Sequence, residues 1–309
     1  MGKQTDRGAG TRAWGPSVSR RSFVGGAGLA AAAMALAGCS ARGTRWETGA
    51  RDAGSADGRT LDQIKASGRL DVAVLSDAAP LGYVNSLGNY GGYDVFFAGR
   101  LAQELGTVAN YVACDPAGRT DALVAGEADV VVAMLPVTEA TSAVVDLTVP
   151  YLRTTHCLVS RADAPLADLS EAAGRTVIAC EGSEAAAVLA ATPEVGQRLV
   201  GSYADATRAL EAGEGDALLA DFLFATDWVS GRSGYVAGEP GVGGWRLCAA
   251  GVRKGSADLL KRVNEVMSAL GGAGFFTWDY RQTLGSVLGE GFDYRQVVVE
   301  GGKVLADEA

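Results

Sequence analysis

The sequence predicts an α/β fold of two similar lobes, each built on a mainly parallel central sheet. Three observations carry that: strand and helix signals alternate along the chain, one apolar run reads as a strand buried on both faces, and a twelve-residue unit occurs twice. Alternation favours parallel pairing, because each helix returns the chain across the sheet before the next strand begins.

The elements follow in order. Leu70 to Leu75, after Gly68, is a strand-like apolar run. Val95, Ala98, Ala102 and Leu105 recur at helical spacing, with Gly106 as the expected C-terminal stop. Val130-Val131-Val132-Ala133-Met134 is the doubly buried strand. Leu259, Val263, Val266 and Leu270 line one face of a late helix that Gly271-Gly272 is expected to close. The repeat pairs Ala122 to Ala133 (ALVAGEADVVVA) with Ala209 to Ala220 (ALEAGEGDALLA), identical at seven of twelve positions and offset by 87. In each copy a helix ends at a glycine (Gly126, Gly213) and a buried strand follows an aspartate (Asp129, Asp216). Open α/β sheets bind ligands beyond the C-terminal ends of their strands. Two such ends facing each other make a cleft, whose candidate lining is Met134 to Thr138 in one lobe and Asp221 in the other.

The N-terminus reads as an address, not as fold. Ser19-Arg20-Arg21-Ser22-Phe23 precedes a short run of small apolar residues from Val24 to Ala37, too short to span a bilayer as a helix. The paired arginines resemble a twin-arginine export signal, and Leu36-Ala37-Gly38-Cys39 resembles a lipobox in which Cys39 is acylated. Segment 1–38 is therefore expected to be a lipoprotein signal and 39–58 a flexible tether, which gives an extracytoplasmic, lipid-anchored protein. Segment 1–38 holds five basic residues and one acid, so its removal takes the formal net charge from −9 to −13. That balance argues against a nucleic-acid partner, which needs a basic footprint. Cys114, Cys157, Cys180 and Cys248 match no metal-ligand spacing, and no cofactor is expected. Four free thiols and a Cys157–Cys248 bridge are both open.

With these residues in place, the chain resembles the type II periplasmic solute-binding proteins, specifically the polar amino-acid family of ABC transporters (bacterial solute-binding protein family 3). The likeness runs from about Leu61 to Gly285 through LDQIKASGRLDVAV, GGYDVFFAGRLAQELG, DALVAGEADVVVAMLPVT, the Pro150-Tyr151 pair, AGRTVIACEGSEA, DALLAD and GVRKGSADLLKRVNEVMSAL. The resemblance implies two crossings between lobes, near Leu152–Cys157 and Arg246–Gly251. Lobe 1 is then 59–151 plus 252–290, lobe 2 is 157–246, and 291–309 is a C-terminal extension. It also implies a hinge that closes on a small polar solute, an amino acid or derivative, and a membrane permease as partner.

The resemblance carries site residues over one at a time. Gly182 and Ser183 open a lobe 2 helix whose N-terminus suits a carboxylate, although Ser183 also reads as an ordinary cap. Asp221 matches the acid that holds a ligand ammonium, or caps the next helix. Tyr83 matches an aromatic contact at the cleft mouth, and Thr138 a hydroxyl and backbone N–H donor. The departures are pointed. Where the family grips the ligand carboxylate with arginine, this chain has Thr141; an expected aromatic is Leu81, and an expected second acid is Phe96. Arg119 and Arg153 are the candidates to replace that charge. The chain is expected not to be an enzyme: His156 is the only histidine and no nucleophile motif appears. Carboxylate chemistry by Glu139 or Glu181, as in a dehydratase on this fold, and a sensor or scaffold that no longer serves transport are the alternatives.

Overall fold

Seven consecutive apolar residues with no polar partner among them have one stable place in a protein of this size, the middle of a sheet covered on both faces. A computed structural model describes residues 58–308, and Val130–Pro136 is indeed such a strand, buried along its whole length. The expected signal (1–38), Cys39 and the expected tether as far as Asp57 lie outside the described residues.

The chain begins with α1 (Leu61–Ser67) and β1 (Arg69–Leu75), then a small sheet of β2 (Asp77–Ala78), β3 (Gly82–Val84) and β4 (Tyr90–Gly91). Next come α2 (Tyr93–Glu104), β5 (Val108–Cys114), α3 (Arg119–Val124), β6 (Val130–Pro136) and α4 (Glu139–Val144). The long β7 (Val145–Arg161) leads to β8 (Thr176–Cys180), α5 (Glu184–Ala190), β9 (Gly196–Val200) and α6 (Tyr203–Glu211). Then follow β10 (Ala217–Asp221), α7 (Phe222–Val229) and β11 (Tyr235–Ala237). β12 (Val242–Arg253) returns the chain, and α8 (Ala257–Gly272) and α9 (Phe275–Thr283) follow it. Strand order is β5-β1-β6-β12-β7-β10-β8-β9, with β11 also on β7. The outer pairs β1–β5, β1–β6, β10–β8 and β8–β9 are parallel, whereas β12 and β7 are antiparallel to their neighbours. The sheet therefore has two parallel halves joined by two long strands, a continuity that periodicity alone does not reveal.

The sequence repeat is a structural one. Ala125 and Ala212 end α3 and α6, and the next residues, Gly126 and Gly213, have φ of 70° and 72°, a left-handed conformation that costs glycine nothing. Glu127 N donates to Ala122 O and Glu214 N to Ala209 O, each at 2.9 Å. Asp129 N then donates to Asp71 O while its carboxylate accepts from Asp71 N; Asp216 does the same with Thr176. Each aspartate thus sets the register of its strand against the first strand of its own half. Arg59 adds a feature found only in the first copy, bonding both Asp71 and Asp129.

Packing then fixes α2 and α9 against β7. Phe97, Tyr151 and Phe276 are fully buried, with ring centroids 5.0, 5.2 and 6.3 Å apart. Each such ring contributes roughly 2–3 kcal/mol by burial. Residues 291–308 pack into the body as well: Val297, Val298 and Val299 are buried, and Val297 O accepts from Arg153 N at 2.7 Å. α8 ends at Gly272, at the expected glycine pair, and the left-handed residue that follows is Gly274, with a φ of 71°. Gly271 also admits the chain close by, since a Cβ there would stand 2.6 Å from the Glu300 carbonyl carbon. The four cysteines are free thiols; Cys248 lies opposite Leu152 and Cys157 opposite Ala220, so no bridge joins them.

Candidate functional site

The equivalent strands β6 and β10 deliver chemistry at their C-terminal ends. Asp221, the last residue of β10, is 4% exposed. Its carboxylate accepts from Thr154 Oγ1 at 2.6 Å and from Leu223 N at 2.9 Å, so it does cap α7. Burial pushes its pKa up to about 6, against the pull of those two hydrogen bonds and of Arg246. The group is thus largely ionised at neutral pH in a place where a second cation is favourable. Offset by the repeat, Met134 stands in β6 where Asp221 stands in β10, and it has a φ of 49°. Its N–H donates to Tyr151 Oη at 3.2 Å, and Tyr151 in turn donates to Asp94 Oδ1 at 2.7 Å. Asp94 is fully buried, and desolvation lifts its pKa to about 7.

Arg119 crosses from this first half toward the second. Its guanidinium donates to Pro116 O, Ala133 O and Met134 O at 2.9–3.0 Å, and to Gly182 O at 3.1 Å. Two further contacts join the halves. Gly182, at φ 70°, lies so close to Ala117 that a Cβ would come within 2.4 Å of its Cα. Asp77 Oδ2 accepts from Ala204 N at 2.9 Å, at the start of α6. Ser183 caps α5, accepting from Ala186 N and donating to Cys180 O at 2.6 Å. The ends of β6 and β10 and the turn before α5 therefore converge from both halves of the sheet, bringing together one buried cation and two buried acids.

With this geometry in view, comparison with known proteins is decisive. The model of the bacterial extracellular solute-binding proteins, family 3, matches residues 70–277, more than half of the chain. The chain belongs to that family. A glutamine-binding protein of Geobacillus stearothermophilus is 32% identical over 196 residues, covering 60% of this chain and 75% of that protein. Among solved structures, a solute receptor for L-cysteine of Neisseria gonorrhoeae gives a TM-score of 0.76 at 28% identity, over 78% of this chain and 100% of the other. The cysteine-binding protein from Campylobacter jejuni gives 0.73 at 26% identity, over 78% and 98%. The expected α/β fold with a mainly parallel central sheet, of the type II periplasmic class, holds.

In this solute-binding protein, Thr138 and Tyr83 find their contacts locally. Thr138 caps α4, its hydroxyl accepting from Thr141 N at 3.1 Å and lying 2.9 Å from Thr141 Oγ1. Position 141 therefore supplies a hydroxyl committed to its neighbour. Tyr83 is half-buried in β3, its hydroxyl end against Gly91. Phe96 is 45% exposed beside Trp278, and Leu81 is buried in the core. Arg153 stacks over Trp245, 4.8 Å from the ring centroid. His156 is buried and its pKa is lowered to about 3, by desolvation and then by Arg246, whose Nη1 lies 3.2 Å from Nε2. A ring so hard to protonate is a poor general base at neutral pH. Glu139 and Glu181 are exposed. Sequence reasoning did not place Asp94, Tyr151 or Thr154 in the site. For Arg119 a signal was present: Arg119, Ala122 and Leu123 share the buried face of α3, and a charge on such a face needs partners.

Proposed function

We propose that this chain captures an amino acid or a closely related small polar amine or carboxylate outside the cell and delivers it to an ABC permease. In this reading, 59–151 with 252–290 forms one lobe and 157–246 the other, and they close about the strand pair β7 and β12. Asp221 holds the solute's ammonium, the turn at Gly182 and Ser183 supplies N–H donors, and Tyr83 and Thr138 border the cleft. The protein is exported by the twin-arginine route and held to the membrane through acylated Cys39. It binds and releases its solute without chemical change.

The observation that carries this reading is the convergence of two equivalent strand ends, where the buried Asp221 at the end of β10 and the buried Arg119, bonded to Met134 O at the end of β6 and to Gly182 O before α5, bring opposite charges out of water. A zwitterion matches that pattern, and the relatives' names, glutamine-binding and cysteine-binding, agree in class. A thermal-shift screen of the purified chain against amino acids, their derivatives, polyamines and small carboxylates tests it. A solute at 100 times its Kd stabilises by about 2.7 kcal/mol, roughly 5–10 °C for a domain of this size. A shift confined to one chemical class supports the reading, and a flat response across the panel rejects it. For the anchor, labelled palmitate is expected in the wild-type chain and absent after Cys39→Ala.

A further inference from the structure

We propose that an aromatic groove between α2, β5 and α9 is the dock for Trp46, in the N-terminal segment that enters the body at Gly58. The inference does not depend on which solute the cleft takes.

Val95, Phe96, Gly99, Arg100 and Gln103 form one stripe of α2 at helical spacing, and the stripe lines a cavity of about 490 Å³. Two ring pairs complete the lining: Tyr90 with Tyr111, centroids 5.2 Å apart, and Phe275 with Trp278, 5.9 Å apart. Glycine weakens a helix interior, and Gly99 owes its place to a close approach. A Cβ there would stand 3.0 Å from the Tyr111 hydroxyl, which donates to Val95 O at 3.2 Å. Phe96 and Trp278, 6.4 Å apart, are nevertheless 45% and 48% exposed, so the described residues leave the lip of the groove uncovered.

The sequence offers one specific cover. Between Cys39 and Gly58 the chain holds small and charged residues and a single aromatic, Trp46. An indole buries about 150–250 Å² when it packs, and that segment contains no other large apolar residue to receive it. Charge agrees. Arg100 donates to Glu104 Oε1 at 2.6 Å, which places a cation and an anion one turn apart along α2. Trp46 is flanked by Arg45 and Glu47, so with the indole in the groove Glu47 can meet Arg100 and Arg45 can meet Glu104. Such exposed pairs set register more than strength. Reach agrees too. Arg59 Nη2 donates to Arg69 O, and Arg69 and Val72 pair with Val108 and Tyr111, so Tyr111 lies about 10 Å along β5 from the point of entry. One helix layer of about 10 Å remains to be crossed. The stretch from Trp46 to Gly58 spans up to about 40 Å extended and about 19 Å root-mean-square. A leash of that length presents the indole at an effective concentration on the order of millimolar, so a weak contact suffices. With Cys39 acylated as proposed above, docking leaves residues 40–45 as the free leash and draws the α2–α9 face toward the membrane.

The test is cleavage of the full chain by chymotrypsin, followed by mass spectrometry. The protease must take the Trp46 indole into its own apolar slot, so a docked Trp46 is not cut. A synthetic peptide of residues 40–52 is the undocked reference. Cleavage after Trp46 is expected to be at least tenfold slower in the chain than in the peptide. Trp278→Ala and Phe96→Ala, both at exposed positions, should bring the rate close to the peptide's with little change in Tm. Arg100→Glu should do so in part, and Glu47→Arg in the same chain should restore protection, measured against a peptide with the same change. A wild-type rate equal to the peptide's overturns the inference, as does protection that survives Trp278→Ala and Phe96→Ala together. Protection lost on dilution at constant protease assigns the groove to a second copy of the chain and also overturns it. Protection that is independent of concentration, lost with Trp278 and recovered by the charge exchange upholds it.

Discussion

Asp279 lies in α9 with no exposure to solvent, and neither of its carboxyl oxygens has a hydrogen-bond partner among the described residues. Burial raises its pKa to about 9, with the nearby Asp94 carboxyl pushing the same way. A carboxyl raised in the folded state stabilises nothing as pH climbs. Below about pH 4 both folded and unfolded chains carry it neutral, and no penalty arises. Above that the unfolded chain ionises it while the folded chain cannot, so stability falls steadily until about pH 9. At pH 7 the gap from 3.8 amounts to at most on the order of 4 kcal/mol, and relaxation around the site reduces it. Asp279→Asn removes the titration at nearly constant volume. It is expected to raise the midpoint of thermal unfolding by about 4 °C or more at pH 8 and by close to nothing at pH 4. Unfolding followed by circular dichroism at both pH values measures the difference. A variant whose advantage is the same at pH 4 and pH 8, or absent at both, refutes the reasoning.

Two other perturbations follow from the geometry. Arg59 bonds Asp71 and Asp129, and its loss leaves Asp129 without a cation beside Asp71, which keeps Arg69 and Asn110; Arg59→Ala should cost about 2 kcal/mol in urea denaturation, and Asp71→Asn in the same background should recover part of it by removing the neighbouring negative charge. An Arg59→Ala cost below about 0.5 kcal/mol removes that network from the account. Gly182→Ala puts a Cβ into the Ala117 backbone at an unfavourable φ, so the halves must separate. A larger radius of gyration by X-ray scattering and at least tenfold weaker solute binding are expected, and an unchanged radius contradicts the contact.

What was legible in the sequence was what local pattern controls. The offset of 87 led directly to Gly126 and Gly213 as helix stops and to Asp129 and Asp216 as strand anchors, because each acts within a few residues of its own element. The same logic located the end of α8 at Gly271-Gly272 but not the close approach that Gly271 permits, because that neighbour, Glu300, lies some thirty residues away in the chain. The site was legible only in part. Asp221 stood at the end of a repeat, so its position followed from the strand. Thr154, which bonds it, came into range only because β7 runs antiparallel to β10, a register that leaves no mark on periodicity. Arg119 lay on an apolar helix face where a charge was out of pattern, but its partners, spread over three separate loops and strand ends, depend on how the two halves meet.

Titration calorimetry of the wild type and Asp221→Asn, with the amino acid that the thermal-shift panel selects, tests most directly that the buried acid holds a solute's ammonium. The Asn side chain keeps one oxygen to accept from Leu223 N, and its NH2 can donate to the Thr154 hydroxyl in place of the bond the carboxylate accepted, so the α7 cap survives while the charge is lost. Affinity for the amino acid is expected to fall more than tenfold, with little change for an analogue in which the ammonium is replaced by hydrogen. Equal affinity of the two proteins for the amino acid contradicts the account.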